Sequence, residues 1–126
     1  MKGSDMETQK ELVVVMTRGI DSELSSVALV IACGGMTAGQ KVSLFLTSAA
    51  VDLVRRRGAD LTQVKPLDPL AGMIADFQSR GGEIWACPPC VKARGYEQAD
   101  LIDGVEIVGA SKMHAAIMRG AGTLSF

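Results

Sequence analysis

Long apolar runs are missing from this chain. The longest, residues 12–16 and 27–33, fall far short of the ~20 residues that a membrane span requires. Aromatic residues are scarce too, with one Trp, one Tyr and three Phe. That is too few for the stacking surface of a single-strand nucleic-acid binder. Neither sign of charge is in excess: 13 basic and 14 acidic residues give a net charge of -1, which argues against a phosphate-binding face and so against nucleic acid as a partner. No apolar segment follows Lys2, so no secretory signal is expected and the location reads as cytoplasmic. There is one His, and the three Cys are an odd count. A disulfide framework is therefore not expected, and thiol reactivity or metal binding becomes the question.

Nucleotide-binding loops are absent as well. Residues 17–21 follow the first apolar run with a single glycine, which is no dinucleotide fingerprint. Residues 34–41 faintly resemble a phosphate loop, but the lysine comes one position late and the segment precedes a strand where a phosphate loop follows one. No cofactor is expected.

What is present suits one compact core. The 126 residues are 48% hydrophobic, and the length matches a single domain. Residues 1–10 read as an N-terminal extension and residues 11–126 as that domain. Seven Met suggest adaptable packing or contact surfaces. Short apolar runs at 12–16, 42–46, 84–86, 105–108 and 123–126 read as strands. Helical patterns at 22–33, 49–57, 69–80, 88–94 and 112–119 lie between them. Such alternation predicts a three-layer α/β/α sandwich around a mostly parallel five-stranded sheet, Rossmann- or flavodoxin-like, with its strand order unspecified. In the third helix Asp68 is placed to cap, Pro69 suits the first helical position, Leu70, Met73, Ile74 and Phe77 share a face, and Gly81 closes the end. Ser111 and Gly120 are placed to cap and stop the last one.

In open parallel sheets ligands gather outside the carboxyl ends of the strands. Four segments meet that rule: residues 17–21, 47–49, 87–90 and 109–112. The third is Cys87-Pro88-Pro89-Cys90. With Cys87 as N-cap, the two prolines occupy the first two helical positions and carry no N–H, which leaves the Cys90 amide to donate to the Cys87 sulfur. The helix dipole adds to this, so Cys87 is expected to be more acidic than a free thiol, whose pKa is about 8.5. Cα atoms roughly 5 to 6 Å apart also permit a reversible disulfide, with one sulfur as nucleophile and the other resolving. Two other readings stay open. Both cysteines can simply fill the strand end, or they can supply half of a zinc site, for which only Cys33 and His114 remain as further soft ligands. Cys33, between apolar neighbours, reads as core. His114 is a candidate proton carrier, and Arg18, Thr47, Arg94 and Lys112 are candidate supports for an anionic sulfur; a solvated role is the alternative for each charged one. Arg55, Arg56 and Arg57 read as cations complementing a helix dipole.

The chain resembles the DsrE/DsrF-like family over most of residues 11–125. The resemblance rests on Val42-Ser43-Leu44-Phe45-Leu46-Thr47, Gly81-Gly82-Glu83-Ile84-Trp85-Ala86-Cys87, Arg94-Gly95 and Asp103-Gly104-Val105-Glu106-Ile107-Val108-Gly109. It puts Cys87 on the family's reactive cysteine and Gly95 on its glycine. It implies that Cys87 accepts sulfane sulfur as a persulfide and passes it on, with sulfur donor and acceptor proteins or small thiols as partners. It further implies a homo-oligomer, whether dimer, trimer or hexamer. Cys90 is not a fixed cysteine of the family pattern, so its assisting or resolving role belongs to this chain. A binding module that uses the same cleft without catalysis is the alternative from a different class.

Overall fold

The fold was obtained as a computed structural model, which describes residues 9–126; the expected extension lies, for residues 1–8, outside the described residues. Five strands, β1 (Glu11–Met16), β2 (Lys41–Leu46), β3 (Glu83–Ala86), β4 (Val105–Ile107) and β5 (Gly122–Ser125), form one sheet in the order β4-β3-β2-β1-β5. Every pairing is parallel. Among the described residues the α-helices are α1 (Glu23–Thr37), α2 (Leu70–Ser79), α3 (Pro88–Ala93) and α4 (Ala110–Met118). The expected α/β architecture is present, and the order places the chain reversal at β1, where the first connection steps towards β2 and the last returns to β5 on the other side.

Alternation along the strands divides the core in two. Leu12, Val14 and Met16 of β1, with Val42, Leu44 and Leu46 of β2, face the layer that holds Leu29 of α1 and Leu70 and Phe77 of α2. Val13, Phe45 and Trp85 face Ala116 of α4. Among the described residues, one face is thus covered by several elements and the other by α4 alone. β5 pairs with β1 on one side only, and all four of its residues are exposed.

Helix ends follow local chemistry in part. Ser22 Oγ accepts from the Leu24 amide and starts α1, which runs on to Thr37 and so absorbs Gly34 and Gly35 of the loop-like segment. Leu70, Met73, Ile74 and Phe77 are buried as expected. Asp68 does not cap α2, because Pro69 itself holds the N-cap position, with extended backbone. Likewise α4 starts two residues before the expected position, with Gly109 rather than Ser111 as N-cap. The helix expected at 49–57 is instead a 3₁₀ segment, Ser48–Val54. It stops at Val54 because Arg55 turns to extended backbone and bridges Leu101. The arginine run therefore does not serve a helix dipole. Arg56 bonds the Ala99 carbonyl and Asp103, and Arg55 lies over the Tyr96 ring.

Candidate functional site

The parallel register brings the loops after β1, β2 and β3 to one edge. The Thr47 amide bonds the Met16 carbonyl and the Cys87 amide bonds the Leu46 carbonyl, each continuing the ladder by one residue. Thr47 and Cys87 thus stand side by side at the carboxyl ends of β2 and β3. From there the chain enters the 3₁₀ segment after Thr47 and α3 after Cys87.

Cys87 is the N-cap of α3 with both prolines behind it, as expected, but its sulfur accepts no capping bond. The expectation that the Cys90 amide would hold the Cys87 sulfur is therefore corrected. With prolines at the first two helical positions only one amide of the turn is left, and at φ -64 and ψ 122 the cap does not turn its short side chain onto it. The sulfur that collects donors is Cys90. Thr47 Oγ1 lies 3.4 Å from it and the Ser48 amide 3.1 Å. Thr47 occupies the N-cap position of the 3₁₀ segment yet makes no capping bond there; its hydroxyl is turned to the sulfur. Ser48 has φ 54, a left-handed conformation unusual for a residue with a side chain, and from it presents its amide to Cys90.

These contacts bias Cys90 towards its ionised form. The Thr47 hydroxyl, the Ser48 amide, the Cys87 thiol and the nearby Arg94 guanidinium outweigh partial burial and hold the Cys90 thiol below the usual thiol value. The two cysteines also differ in packing. Cys87 lies against the α4-side cluster around Trp85, and Cys90 against the larger cluster of the other face. The pair straddles the end of the sheet, and both thiols are free and partly exposed.

Of the expected supporting residues, Thr47 and Arg94 join the pair. Arg94 Nη1 donates to the Cys90 carbonyl at 3.3 Å, and its Nε pairs with Asp52 at 3.3 Å. Lys112 is engaged elsewhere, bonded to Glu106 at 3.0 Å and lying 5.6 Å from the Trp85 ring centroid. Arg18 is exposed in the loop after β1, where its carbonyl receives Ser25. His114 is exposed in the second turn of α4, since that helix starts early. Neither of these two bonds a cysteine among the described residues. Cys33 is half-buried rather than fully buried and lines a groove between α1 and α2. Burial and the Asp76 charge push its thiol up, against a smaller opposing effect of Arg80. No three His, Cys, Asp or Glu side chains are grouped to hold a metal among the described residues. Ser48, Asp52 and Tyr96 carry no signal in the sequence, because each acts across a separation of about forty residues.

A parallel α/β fold with a Cys-x-x-Cys pair at the end of its third strand defines a class of cysteine-bearing sheet-edge proteins. Within it, this chain belongs to the DsrE/DsrF-like family, whose model matches residues 10–126, a family that includes sulfur relay proteins. The chain is 32% identical over 95 residues to the uncharacterized protein MK0008 of Methanopyrus kandleri, covering 75% of each chain. Its fold is similar to that of the ychN protein from E. coli, with a TM-score of 0.73 at 24% identity over 94% of this chain and 99% of that one. It is equally similar in fold to MTH1491 from Methanobacterium thermoautotrophicum, a protein of unknown function, at TM-score 0.73 and 18% identity, covering 94% and 100% of the two chains. No described helix is long and apolar enough to cross a membrane.

Proposed function

We propose that this protein is a cysteine-based sulfur carrier in which Cys87 takes up sulfane sulfur and Cys90 acts as its base and resolving thiol. The observation that carries this reading is the pair of contacts that the Thr47 hydroxyl and the Ser48 amide make with the Cys90 sulfur, on the helix that Cys87 caps. With Cys90 as thiolate, its sulfur accepts the Cys87 proton as the Cys87 sulfur attacks the outer sulfur of a persulfide or thiosulfate donor. One S–S bond forms at Cys87, the donor's bond to that sulfur breaks, and the leaving thiolate or sulfite keeps the electron pair. A partner thiolate then attacks the outer sulfur and Cys87 departs as thiolate, with no net oxidation. In a second exit Cys90 attacks the inner sulfur, hydrosulfide leaves, and the resulting Cys87–Cys90 disulfide is reset by an external dithiol.

The partners are accordingly sulfur donor and acceptor proteins or small thiols, and the setting is the reducing cytoplasm, where the thiols stay free. Residues 11–126 act as the working domain. Assembly into a homo-oligomer belongs to the same proposal. Among the described residues, β5 with Leu124 on it and the exposed Ile117 and Met118 of α4 supply apolar surface for that contact.

Incubation with thiosulfate or polysulfide, followed by mass spectrometry of the peptide holding Cys87, tests the carrier. Added sulfur on Cys87 is expected in the wild type, none in Cys87→Ser, and slower loading in Cys90→Ser. A wild type that loads from no donor overturns the reading and leaves a non-catalytic binding module in its place.

A further inference from the structure

The donors that meet Cys90 belong to a segment that is distant in sequence, so something must hold that segment and α3 in register. α3 has only six residues and begins with two prolines. A helix that short has almost no stability of its own. The 3₁₀ segment buries Ala50, Val51, Leu53 and Val54 against the core, which leaves Asp52 as its acidic side chain on the side of α3. Asp52 Oδ1 accepts from Tyr96 Oη at 2.6 Å and pairs with Arg94 Nε at 3.3 Å. Arg94 in turn donates to the carbonyl of Cys90. Gly95, at φ 73, provides the left-handed turn that brings Tyr96 back, and the Tyr96 amide bonds the Val91 carbonyl. One carboxylate therefore gathers the two side chains that follow α3 and ties them to the segment that begins with Thr47 and Ser48.

We propose that Asp52 is a positioning residue of the thiol site: through Arg94 and Tyr96 it fixes α3 at the distance from which Thr47 and Ser48 both reach the Cys90 sulfur. The inference rests on the thiol-pair reading above in one respect, that the state of Cys90 matters to function; the geometry it concerns is measurable without any sulfur donor. Cys87 and Arg94 are the titratable groups facing Cys90, with Asp52 and Tyr96 one contact further out.

Charge alone and positioning predict opposite signs. As a bare negative charge, Asp52 disfavours a nearby thiolate, and its removal makes Cys90 more acidic. As a positioning residue, its removal loosens the donors and makes Cys90 less acidic. The test follows the rate of iodoacetamide alkylation against pH in the full chain carrying Cys33→Ser and Cys87→Ser, so that Cys90 alone reacts, with and without Asp52→Asn. The expected result is an upward shift of the pH midpoint and a roughly threefold slower reaction at pH 7, the net of a smaller thiolate fraction and a more basic nucleophile. A midpoint that stays or falls overturns the proposal. Tyr96→Phe removes only the hydroxyl and is expected to shift the midpoint the same way by less; it decides the matter should Asp52→Asn fail to fold, and an unmoved midpoint there counts against the proposal. Sulfur loading of the wild type is measured separately. An upward shift in a protein that loads no sulfur supports the positioning role while overturning the carrier reading.

Discussion

Replacing Thr47 with Val removes one donor from the Cys90 sulfur and little else, since the two side chains are nearly equal in size. The hydroxyl lies 3.4 Å from the sulfur, an ordinary separation for a sulfur acceptor. A hydrogen bond to a charged group is worth about 1.5–3 kcal/mol, and because Cys90 is partly exposed, water replaces some of what is lost. About 1.4 kcal/mol is then a fair magnitude, which corresponds to a pKa rise of about one unit. Below the midpoint the thiolate fraction falls about tenfold, while the more basic thiolate is intrinsically about threefold more nucleophilic, for a net fall of roughly three- to fourfold. The assay is alkylation rate against pH with Cys90 as the sole cysteine, comparing Thr47, Thr47→Val and Thr47→Ser. The Ser variant restores the donor and the original midpoint. Ser48→Ala leaves the midpoint in place, because that residue contributes its amide and not its side chain. An unmoved midpoint in Thr47→Val, or a full shift in Thr47→Ser, would refute the reasoning.

Other expectations are as direct. Gly82→Ala drives a methyl group into the Phe77 ring, which is fully buried, so a loss of about 1–3 kcal/mol is expected in urea unfolding; Phe77→Leu in the same chain recovers part of it, and an undisturbed Gly82→Ala contradicts the packing. The Glu11 carboxyl is held below the usual carboxylate value by its paired bonds from Arg119 at 2.9 Å. Its stabilisation is then present above the ordinary carboxylate pKa and is lost as the pH falls through the lowered one. Wild type and Arg119→Gln should therefore differ in urea midpoint at pH 7 and converge towards pH 3, and parallel curves would speak against the pair. Cys33, its thiol raised by burial and Asp76, should alkylate more slowly than Cys90 at pH 7 in single-cysteine variants.

Much of the fold was legible because its signals are local. Short β-branched runs that pair in a buried parallel sheet stay apolar on both faces, so residues 12–16 and 42–46 read as strands without their neighbours. Leu70, Met73, Ile74 and Phe77 mark a helix face by spacing alone, and Gly81 marks its end. Local rules failed where two of them competed. Asp68 and Ser111 each offered a cap, but the backbone entered the helix at Pro69 and Gly109 instead. Residues 49–57 looked helical, yet the pairing of Arg55 with Leu101 drew the chain out into extended backbone.

The candidate site divides the same way. From the sequence alone came the alternation that makes a parallel sheet, the dithiol at the carboxyl end of its third strand and the prolines that fix the entry to α3. These depend on neighbours a few residues apart. Tertiary structure decided the strand order, the uneven cover of the two sheet faces and which sulfur is held. Cys87 has the position of a capped thiol, but the Thr47 hydroxyl and the Ser48 amide come from 43 and 42 residues away and reach Cys90 only because β2 and β3 lie side by side in register. The state of a thiol is fixed by the donors within a few ångströms of it, and here those donors are supplied by the sheet.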